Sequence, residues 1–221
     1  MGEVKALRCI TCGREFSQND IEYTCPDCGP RRGTLEVIYN YKQVAKVFNK
    51  ETLARDPEQT MWRYLPLLPI EDRRFFQPLR VGYTPVYAFP KLAGEYGLKA
   101  LYIKDDGQNP TASYKDRASA VVVIKAQEKR KPVITCASTG NAASSLSGFS
   151  AATDLETIIF VPRTAPEAKV TQLLIYGAKV FLVNGSYDVA YDLAAEAAEA
   201  FGWDNRSAAV NPYLVEGKKT G

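Results

Sequence analysis

The sequence contains no histidine in its 221 residues. Histidine is the usual proton carrier near neutral pH, and the Ser-His and Cys-His pairs that activate hydrolase nucleophiles depend on it. Its absence excludes those hydrolase mechanisms. Any acid–base chemistry must therefore use Lys, Asp, Glu, Tyr or Cys side chains, or a bound cofactor.

The sequence also lacks long apolar runs and a strong net charge. No run approaches the roughly 18 residues that cross a bilayer, and the N-terminal residues 1–5 lack the apolar core of a signal peptide. The net charge is only +3, with acidic and basic residues interspersed, whereas nucleic-acid-binding proteins concentrate basic residues on one face. We therefore expect a cytosolic protein that binds neither a membrane nor nucleic acid.

Beyond residue 100, apolar runs alternate with amphipathic segments. Hydrophobic residues make up 46% and charged residues 24% of the chain, as in ordinary globular proteins. Short apolar runs separated by helical patterns predict an α/β fold, a parallel sheet covered by helices on both faces. The predicted strands are Val133–Ala137, Thr157–Val161, Lys179–Val183 and a weaker one near Trp203–Arg206. The predicted helices are Tyr114–Arg130, Ala142–Ala152, Pro166–Tyr176 and Tyr187–Phe201, the last with an apolar stripe of Val189, Leu193, Ala197 and Phe201.

Four of the five cysteines form two identical pairs, each with two residues between the cysteines and a glycine after them: Cys9, Cys12, Cys25 and Cys28. Such pairs place two thiolates on the same side of a tight turn, and two pairs give the tetrahedral sulfur site that suits Zn²⁺. Because all four ligands are sulfur, the metal would be structural, holding a zinc ribbon too small for its own core. Iron, or four unrelated cysteines, remain alternatives. The fifth cysteine, Cys136, is expected to be a small buried apolar residue.

The segment Asn109–Arg117 places Lys115 near the start of a predicted helix. Ser113 followed by Asp116 is typical of a capping box, in which each side chain bonds the other's backbone. A lysine in a first helical turn is disfavoured by the helix dipole only by about 0.3–1 kcal/mol. On the residues alone, the pattern favours an ordinary surface lysine at Lys115.

A second polar loop, Ser138–Asn141, follows the predicted strand Val133–Ala137 and precedes a helix. Free backbone N–H groups at such a helix start converge on one point and attract anions. The plainer interpretation is that Ser138 or Thr139 only caps the helix.

The two loops together resemble those of the fold-type-II pyridoxal-phosphate enzymes. With the cysteine pairs and the motifs at 61–64, 82–85 and 211–220, the sequence is most similar to the threonine synthase branch of that family, over essentially the whole chain. The resemblance implies conversion of O-phosphohomoserine and water to threonine and phosphate. It implies two non-protein groups, pyridoxal 5'-phosphate and a structural zinc ion.

The resemblance also implies roles for individual residues. Lys115 is expected to carry the cofactor covalently and then to move protons on the substrate, and Asn141 to hydrogen-bond the ring oxygen of the cofactor. Ser138 and Thr139 are expected to hold the anionic end of an amino-acid phosphate substrate. Asn211 is a weaker candidate for lining the same pocket.

The resemblance divides the chain into four parts: a zinc ribbon (1–38), a connector with the start of the large domain (39–100), a small α/β domain (101–211) and a return to an incomplete large domain (212–221). Family members bind the cofactor phosphate with a glycine-rich loop, yet none of the 15 glycines here forms a Gly-x-Gly. We therefore expect a truncated gene, a split gene or a fragment, working as a homodimer or with a complementing C-terminal fragment. A cysteate synthase-like or dehydratase-like enzyme and a non-catalytic module remain alternatives.

Overall fold

The computed structural model describes residues 2–221. The cysteine pairs lie on a small antiparallel sheet in the order β2-β1-β3, built from β1 (Val4–Cys9), β2 (Glu15–Phe16) and β3 (Leu35–Tyr39). A four-residue helix, α1 (Gly29–Arg32), follows the second cysteine pair. The buried Leu7 and Val37 of this sheet belong to the same apolar cluster as the main body. The four-cysteine segment is thus packed on the rest of the chain and shares its core.

The connector consists of short helices and a two-stranded ribbon. Its helices are α2 (Tyr41–Val47) and α3 (Lys50–Arg55), followed by 3₁₀ segments at Met61–Leu67 and Arg73–Phe75. The strands β4 (Val86–Ala88) and β5 (Tyr102–Lys104) pair antiparallel on either side of α4 (Pro90–Glu95). Every residue of these two strands is exposed.

The predicted parallel sheet is confirmed and has four strands in the order β8-β7-β6-β9. Its strands are β6 (Val133–Ala137), β7 (Glu156–Pro162), β8 (Lys179–Val183) and β9 (Asp204–Asn205). A further 3₁₀ segment, Asp106–Gln108, precedes the helices α5 (Lys115–Glu128), α6 (Asn141–Ser150), α7 (Glu167–Ile175), α8 (Tyr187–Phe201) and α9 (Tyr213–Lys218). Strand and helix boundaries differ from the sequence-based prediction by no more than two residues, because each apolar run ends at polar or turn residues.

The two faces of the sheet contribute to two apolar clusters. Ile159 and Val161 join the larger cluster, with the apolar residues of α5 and α6. Ile158 and Phe160 alternate with them along β7 and pack with α8 in the smaller cluster. This alternation is the period of two that a strand buried on both faces requires.

The sequence-based prediction of which residues of α8 face the sheet is wrong. Val189 and Leu193 are 49% and 42% exposed, whereas Ala190, Ala194 and Ala198 are buried. The alanines are displaced from the predicted stripe by one residue, about 100° around the helix. Their small side chains let α8 approach the strands closely, and this decides which stripe is covered.

None of the helices described between residues 2 and 221 is long and apolar enough to cross a membrane.

Candidate active site and metal centre

Lys115 is the first residue of α5, as expected from the sequence, and its side chain is half-buried. The preceding loop is fixed by its own polar groups. Asn109 accepts a hydrogen bond from the backbone of Gly82 (2.9 Å), and Asp116 accepts one from the backbone of Thr111 (2.7 Å). The loop includes Ala112 at a φ of +55°, a strained conformation that persists only where the surroundings enforce it.

The predicted capping box at this helix does not form. Ser113 accepts a hydrogen bond from the backbone of Lys115 (3.0 Å), but the carboxylate of Asp116 bonds both the backbone and the hydroxyl of Thr111. Asp116 is thus used to close the loop before Lys115.

Two residues after Lys115, the fully buried Arg117 links α5 to Asp106 and to the segment that follows α9. Its guanidinium contacts the carboxylate of Asp106 at 2.8 Å and donates to the backbone oxygen of Thr220 at 2.8 Å. The hydrogen bond from Arg117 holds the pKa of Asp106 below its usual range, although burial acts in the opposite direction. Arg117 thereby fixes the first turn of α5 against the end of α9, where Lys218 lies.

The helix α9 can lie close to α5 because residue 217 is a glycine. A Cβ atom at Gly217 would lie 2.0 Å from the backbone oxygen of Arg117, which no side chain could tolerate. This close approach brings Lys218 to the same side of the molecule as Lys115.

The second predicted loop lies at the carboxyl end of β6, where ligands of parallel sheets bind. Asn141 is the first residue of α6, and no side chain caps this helix. Ser138 accepts a hydrogen bond from the backbone of Gly140 (3.2 Å), Thr139 is half-buried, and the exposed Asn141 accepts one from Lys169 (3.3 Å). The first turn of α6 therefore has no side-chain cap, and anion binding there stays a prediction.

A cavity of about 300 Å³ connects the two loops. Among the residues described, it is lined by three basic side chains, Lys115, Arg206 and Lys218, and by no Asp or Glu. The remaining lining residues are Cys136, Ala137, Ser138, Ala142, Tyr187, Tyr191, Ala194, Asn205, Ser207 and Ala208. The chemistry of this set favours an anionic ligand. It fits a phosphate-bearing cofactor or substrate next to a lysine amine.

The electrostatics of the cavity agree with this assignment. Burial lowers the pKa of Lys218, and the positive charges of Arg206 and Lys115 lower it further. Arg206 is 5% exposed, and its Nε has no hydrogen-bond partner among the described residues. Burial also lowers the pKa of Arg206. Burial and mutual repulsion both disfavour the charged forms of these side chains. A bound anion would stabilise those charged forms.

Arg206 and Lys218 were missed by the sequence-based prediction of the site. Lys218 lies within the motif 211–220, but a lysine in a helix gives no signal of its own. Arg206 follows the weak strand β9, and only the tertiary structure shows that it is buried. Cys136 is buried as expected, with its pKa raised to about 11 by burial, and it also lines the cavity.

Of the residues predicted to bind the cofactor or substrate, Lys115 and Ser138 line the cavity, whereas Thr139, Asn141 and Asn211 do not. Asn211 is 2% exposed. Its side chain donates to the backbone oxygen of Asn205 (3.0 Å) and accepts from the backbone of Tyr213 (3.0 Å). These bonds hold the turn between β9 and α9.

The four cysteines Cys9, Cys12, Cys25 and Cys28 come together as expected, with all sulfur atoms within 4.8 Å of one another. The sulfurs of Cys12 and Cys25 are 3.8 Å apart, close to the roughly 3.8 Å edge of a tetrahedron with Zn–S bonds of about 2.3 Å. The backbone N–H of Cys12, with a further bond from Thr11, lowers the pKa of Cys9 to about 7 against the effect of burial, whereas burial raises the pKa of Cys28 to about 12. The donor set therefore fits a zinc ion.

Comparison with known proteins agrees with this geometry. A family model described as "Pyridoxal-phosphate dependent enzyme" matches residues 78–221. The threonine synthase of Methanocaldococcus jannaschii is 40% identical over 96% of this chain and 51% of its own length. That of Methanosarcina acetivorans is 37% identical over 97% of this chain and 51% of its own. The chain thus spans about half the length of these curated relatives.

Solved structures show the same fold at lower identity. Diaminopropionate ammonia lyase from Escherichia coli, in complex with D-serine, superposes with a TM-score of 0.57 at 17% identity, over 62% of this chain and 42% of its own. Threonine deaminase isoform 2 from Solanum lycopersicum gives a TM-score of 0.55 at 23% identity, over 62% of this chain and 38% of its own. With a family match that covers the sheet, Lys115 and the cationic cavity, this chain belongs to the family of pyridoxal-phosphate dependent enzymes.

Proposed function

We propose that this chain forms the first half of a threonine synthase, which converts O-phospho-L-homoserine and water to L-threonine and phosphate. The observation that carries the proposal is the cavity at Lys115, lined by three cations and no carboxylate among the described residues. A substrate that bears both a carboxylate and a phosphate matches this charge. The similarity to two curated threonine synthases supports the same substrate class.

Within this proposal, Lys115 would hold the cofactor covalently, and its amine would remove and return protons at the substrate carbons. When bound, pyridoxal phosphate supplies the electron withdrawal that makes those carbons acidic enough for a lysine amine. Asn141 hydrogen-bonds the ring oxygen of the cofactor from the start of α6. The absence of histidine from the sequence is consistent with proton transfer by lysine.

The substrate is held at both of its anionic ends. Ser138, Thr139 and the N–H groups of the uncapped first turn of α6 bind the carboxylate. Arg206 and Lys218 bind the phosphate, which satisfies the unpartnered Nε of Arg206 and offsets the repulsion between the cations. A guanidinium is well suited to this task because its planar set of donors matches the phosphate oxygens.

The four-cysteine site holds a structural zinc ion in this proposal. All four ligand positions are sulfur, so the metal has no position open to a substrate.

The remaining half of the enzyme completes the large domain that residues 39–100 and 212–221 begin. The ribbon β4–β5 is exposed along its whole length, and an isolated two-stranded ribbon is marginally stable in water. We therefore expect the 221-residue chain alone to release no phosphate from O-phosphohomoserine. The complementing half is either continuous with this chain or a separate polypeptide, and a homodimer of the completed protein is compatible with both.

The function can be tested in a chimera that joins residues 1–221 to the second half of the Methanocaldococcus jannaschii relative. The chimera should release phosphate from O-phosphohomoserine and should not deaminate serine or threonine. Arg206→Met should raise KM for the phosphorylated substrate by roughly tenfold or more, because a lost hydrogen bond to a charged group costs about 1.5–3 kcal/mol. Arg55→Met, at an exposed position of α3, is the matched control. Deamination of serine or threonine in preference to phosphate release would contradict the proposal.

A further inference from the structure

The strand β9 carries one residue of the cavity, Asn205, and leads directly into a second, Arg206, but it has few bonds of its own. It is two residues long and lies at the edge of the parallel sheet. Its pairing with β6 involves Asp204 and Asn205, followed by a bond from the backbone of Arg206 to that of Thr135 (2.8 Å). Asn205 and Arg206 both line the cationic cavity. Their placement therefore depends on whatever holds the outer side of β9.

Two side chains bond that outer side. The backbone N–H of Asn205 donates to the phenolic oxygen of Tyr23 (2.8 Å), and its backbone oxygen accepts from Asn211 (3.0 Å). Both groups of Asn205 point away from β6, as alternation along a strand requires. Tyr23 thus takes the place of a neighbouring strand, which is one way in which proteins cover a sheet edge.

Tyr23 belongs to the four-cysteine segment, two residues before Cys25. Its ring is covered by the ammonium group of Lys129 at 5.3 Å. The preceding residue, Glu22, forms an ion pair with Lys131 (2.8 Å), which in turn donates to the backbone of Gly202 just before β9 (3.1 Å). The segment therefore holds both β9 and the turn that leads into it.

The hydroxyl of Tyr23 accepts from the N–H of Asn205 and keeps its own proton for a second bond.

We propose that Tyr23 is a positioning residue for the cationic cavity. It holds β9 so that Asn205 and Arg206 line the cavity, and it thereby couples the four-cysteine segment to anion binding. The proposal relies on the proposed function only in taking an anion as the ligand of the cavity.

The test is Tyr23→Phe in the 221-residue chain, which removes the hydroxyl and keeps the ring over Lys129. Amide hydrogen exchange at Asn205 and Arg206 should become roughly tenfold faster, as loss of one hydrogen bond predicts, while exchange at Ile159 in β7 stays unchanged. The affinity for inorganic phosphate, measured by titration calorimetry, should fall by about the same factor. Tyr96→Phe is the control, since Tyr96 is 73% exposed.

Unchanged exchange at Asn205 would overturn the proposal, as would faster exchange with unchanged phosphate affinity. If the wild-type chain binds no phosphate, the proposed anion cavity fails, and the exchange measurement alone decides whether Tyr23 holds β9. If Tyr23→Phe does not fold, the wild-type chain still provides a test. Its Asn205 amide should be protected as strongly as that of Arg206, and an unprotected Asn205 amide would overturn the proposal.

Discussion

Three cationic side chains line the candidate site, and no Asp or Glu is among the lining residues described. Lys115, Arg206 and Lys218 line one cavity, and the pKa of Lys218 is lowered by burial and then by the other two charges. Keeping such groups together is unfavourable without an anion. We therefore expect these residues to bind an anion together.

The lowered pKa of Lys218 predicts how anion binding depends on pH. The cavity carries its full charge below that pKa, so sulfate affinity should be constant there and should fall as pH rises through it. The fall should begin at lower pH than for a lysine with the ordinary value of 10.5. Titration calorimetry with sulfate between about pH 7 and 10 measures it, because sulfate keeps its charge over that range while most lysines remain protonated. Lys218→Met should weaken binding and remove the fall, whereas Lys219→Met should not. A fall that persists in Lys218→Met would contradict this assignment.

A second prediction concerns Asp204, which is 1% exposed in β9. Burial raises its pKa from 3.8 to about 6, although the positive charge of Lys129 opposes the rise. The folded chain therefore keeps this proton to higher pH than the unfolded chain. The stability that the retained proton contributes is full below about pH 3.8 and is lost as pH rises through about 6.

Asp204→Asn should consequently raise the free energy of unfolding at pH 7.5 by on the order of 1–2 kcal/mol, and by less at pH 5.5. Urea unfolding at the two pH values measures the change. Asp154→Asn, at an exposed position, is the control. A variant that is destabilised equally at both pH values would show that the Asp204 carboxylate is needed in its charged form.

At the scale of elements, the sequence predicts the strands and helices of the parallel sheet well but not which residues of α8 are buried. Apolar runs bounded by turn residues give boundaries directly, as for β6 and β8. Two neighbouring stripes of α8 both have the helical period, and the pattern cannot choose between them. The alanine stripe is the one that faces the sheet because its small side chains allow close packing. The capping box is a second case in which a sequence pattern fails: in the folded loop Asp116 bonds Thr111 instead.

The packing of α8 gives a matched pair of substitutions. Ala190→Leu should destabilise the chain by about 1–3 kcal/mol, because no space exists beside a residue that is 0% exposed. Val189→Ala, one position earlier and 49% exposed, should change the free energy of unfolding by less than about 1 kcal/mol. Denaturant midpoints of the two variants provide the comparison. A larger destabilisation by Val189→Ala than by Ala190→Leu would indicate that the stripe predicted from the sequence is the buried one.

At the scale of the whole molecule, the four-cysteine segment is joined to the sheet by a shared core and by Tyr23. We predict one tightly held zinc ion per chain, released by a thiol-modifying reagent, because four sulfurs lie within 4.8 Å of one another. Elemental analysis of protein purified without added metal measures it. Since zinc binding contributes folding free energy to small segments, its release should also increase amide exchange in β1 and β3. A segment that is metal-free and equally protected would contradict this prediction.

The central claim is that Lys115 is the residue that binds the cofactor, and borohydride reduction tests it most directly. The chimera of residues 1–221 with the second half of the Methanocaldococcus jannaschii relative is reduced in the presence of pyridoxal phosphate, and the modified peptide is identified by mass spectrometry. We predict a single modified lysine, Lys115. Lys115→Ala should abolish the modification, whereas Lys91→Ala, at an exposed position of α4, should not. Fixation of the cofactor on another lysine, or undiminished fixation in Lys115→Ala, would contradict it.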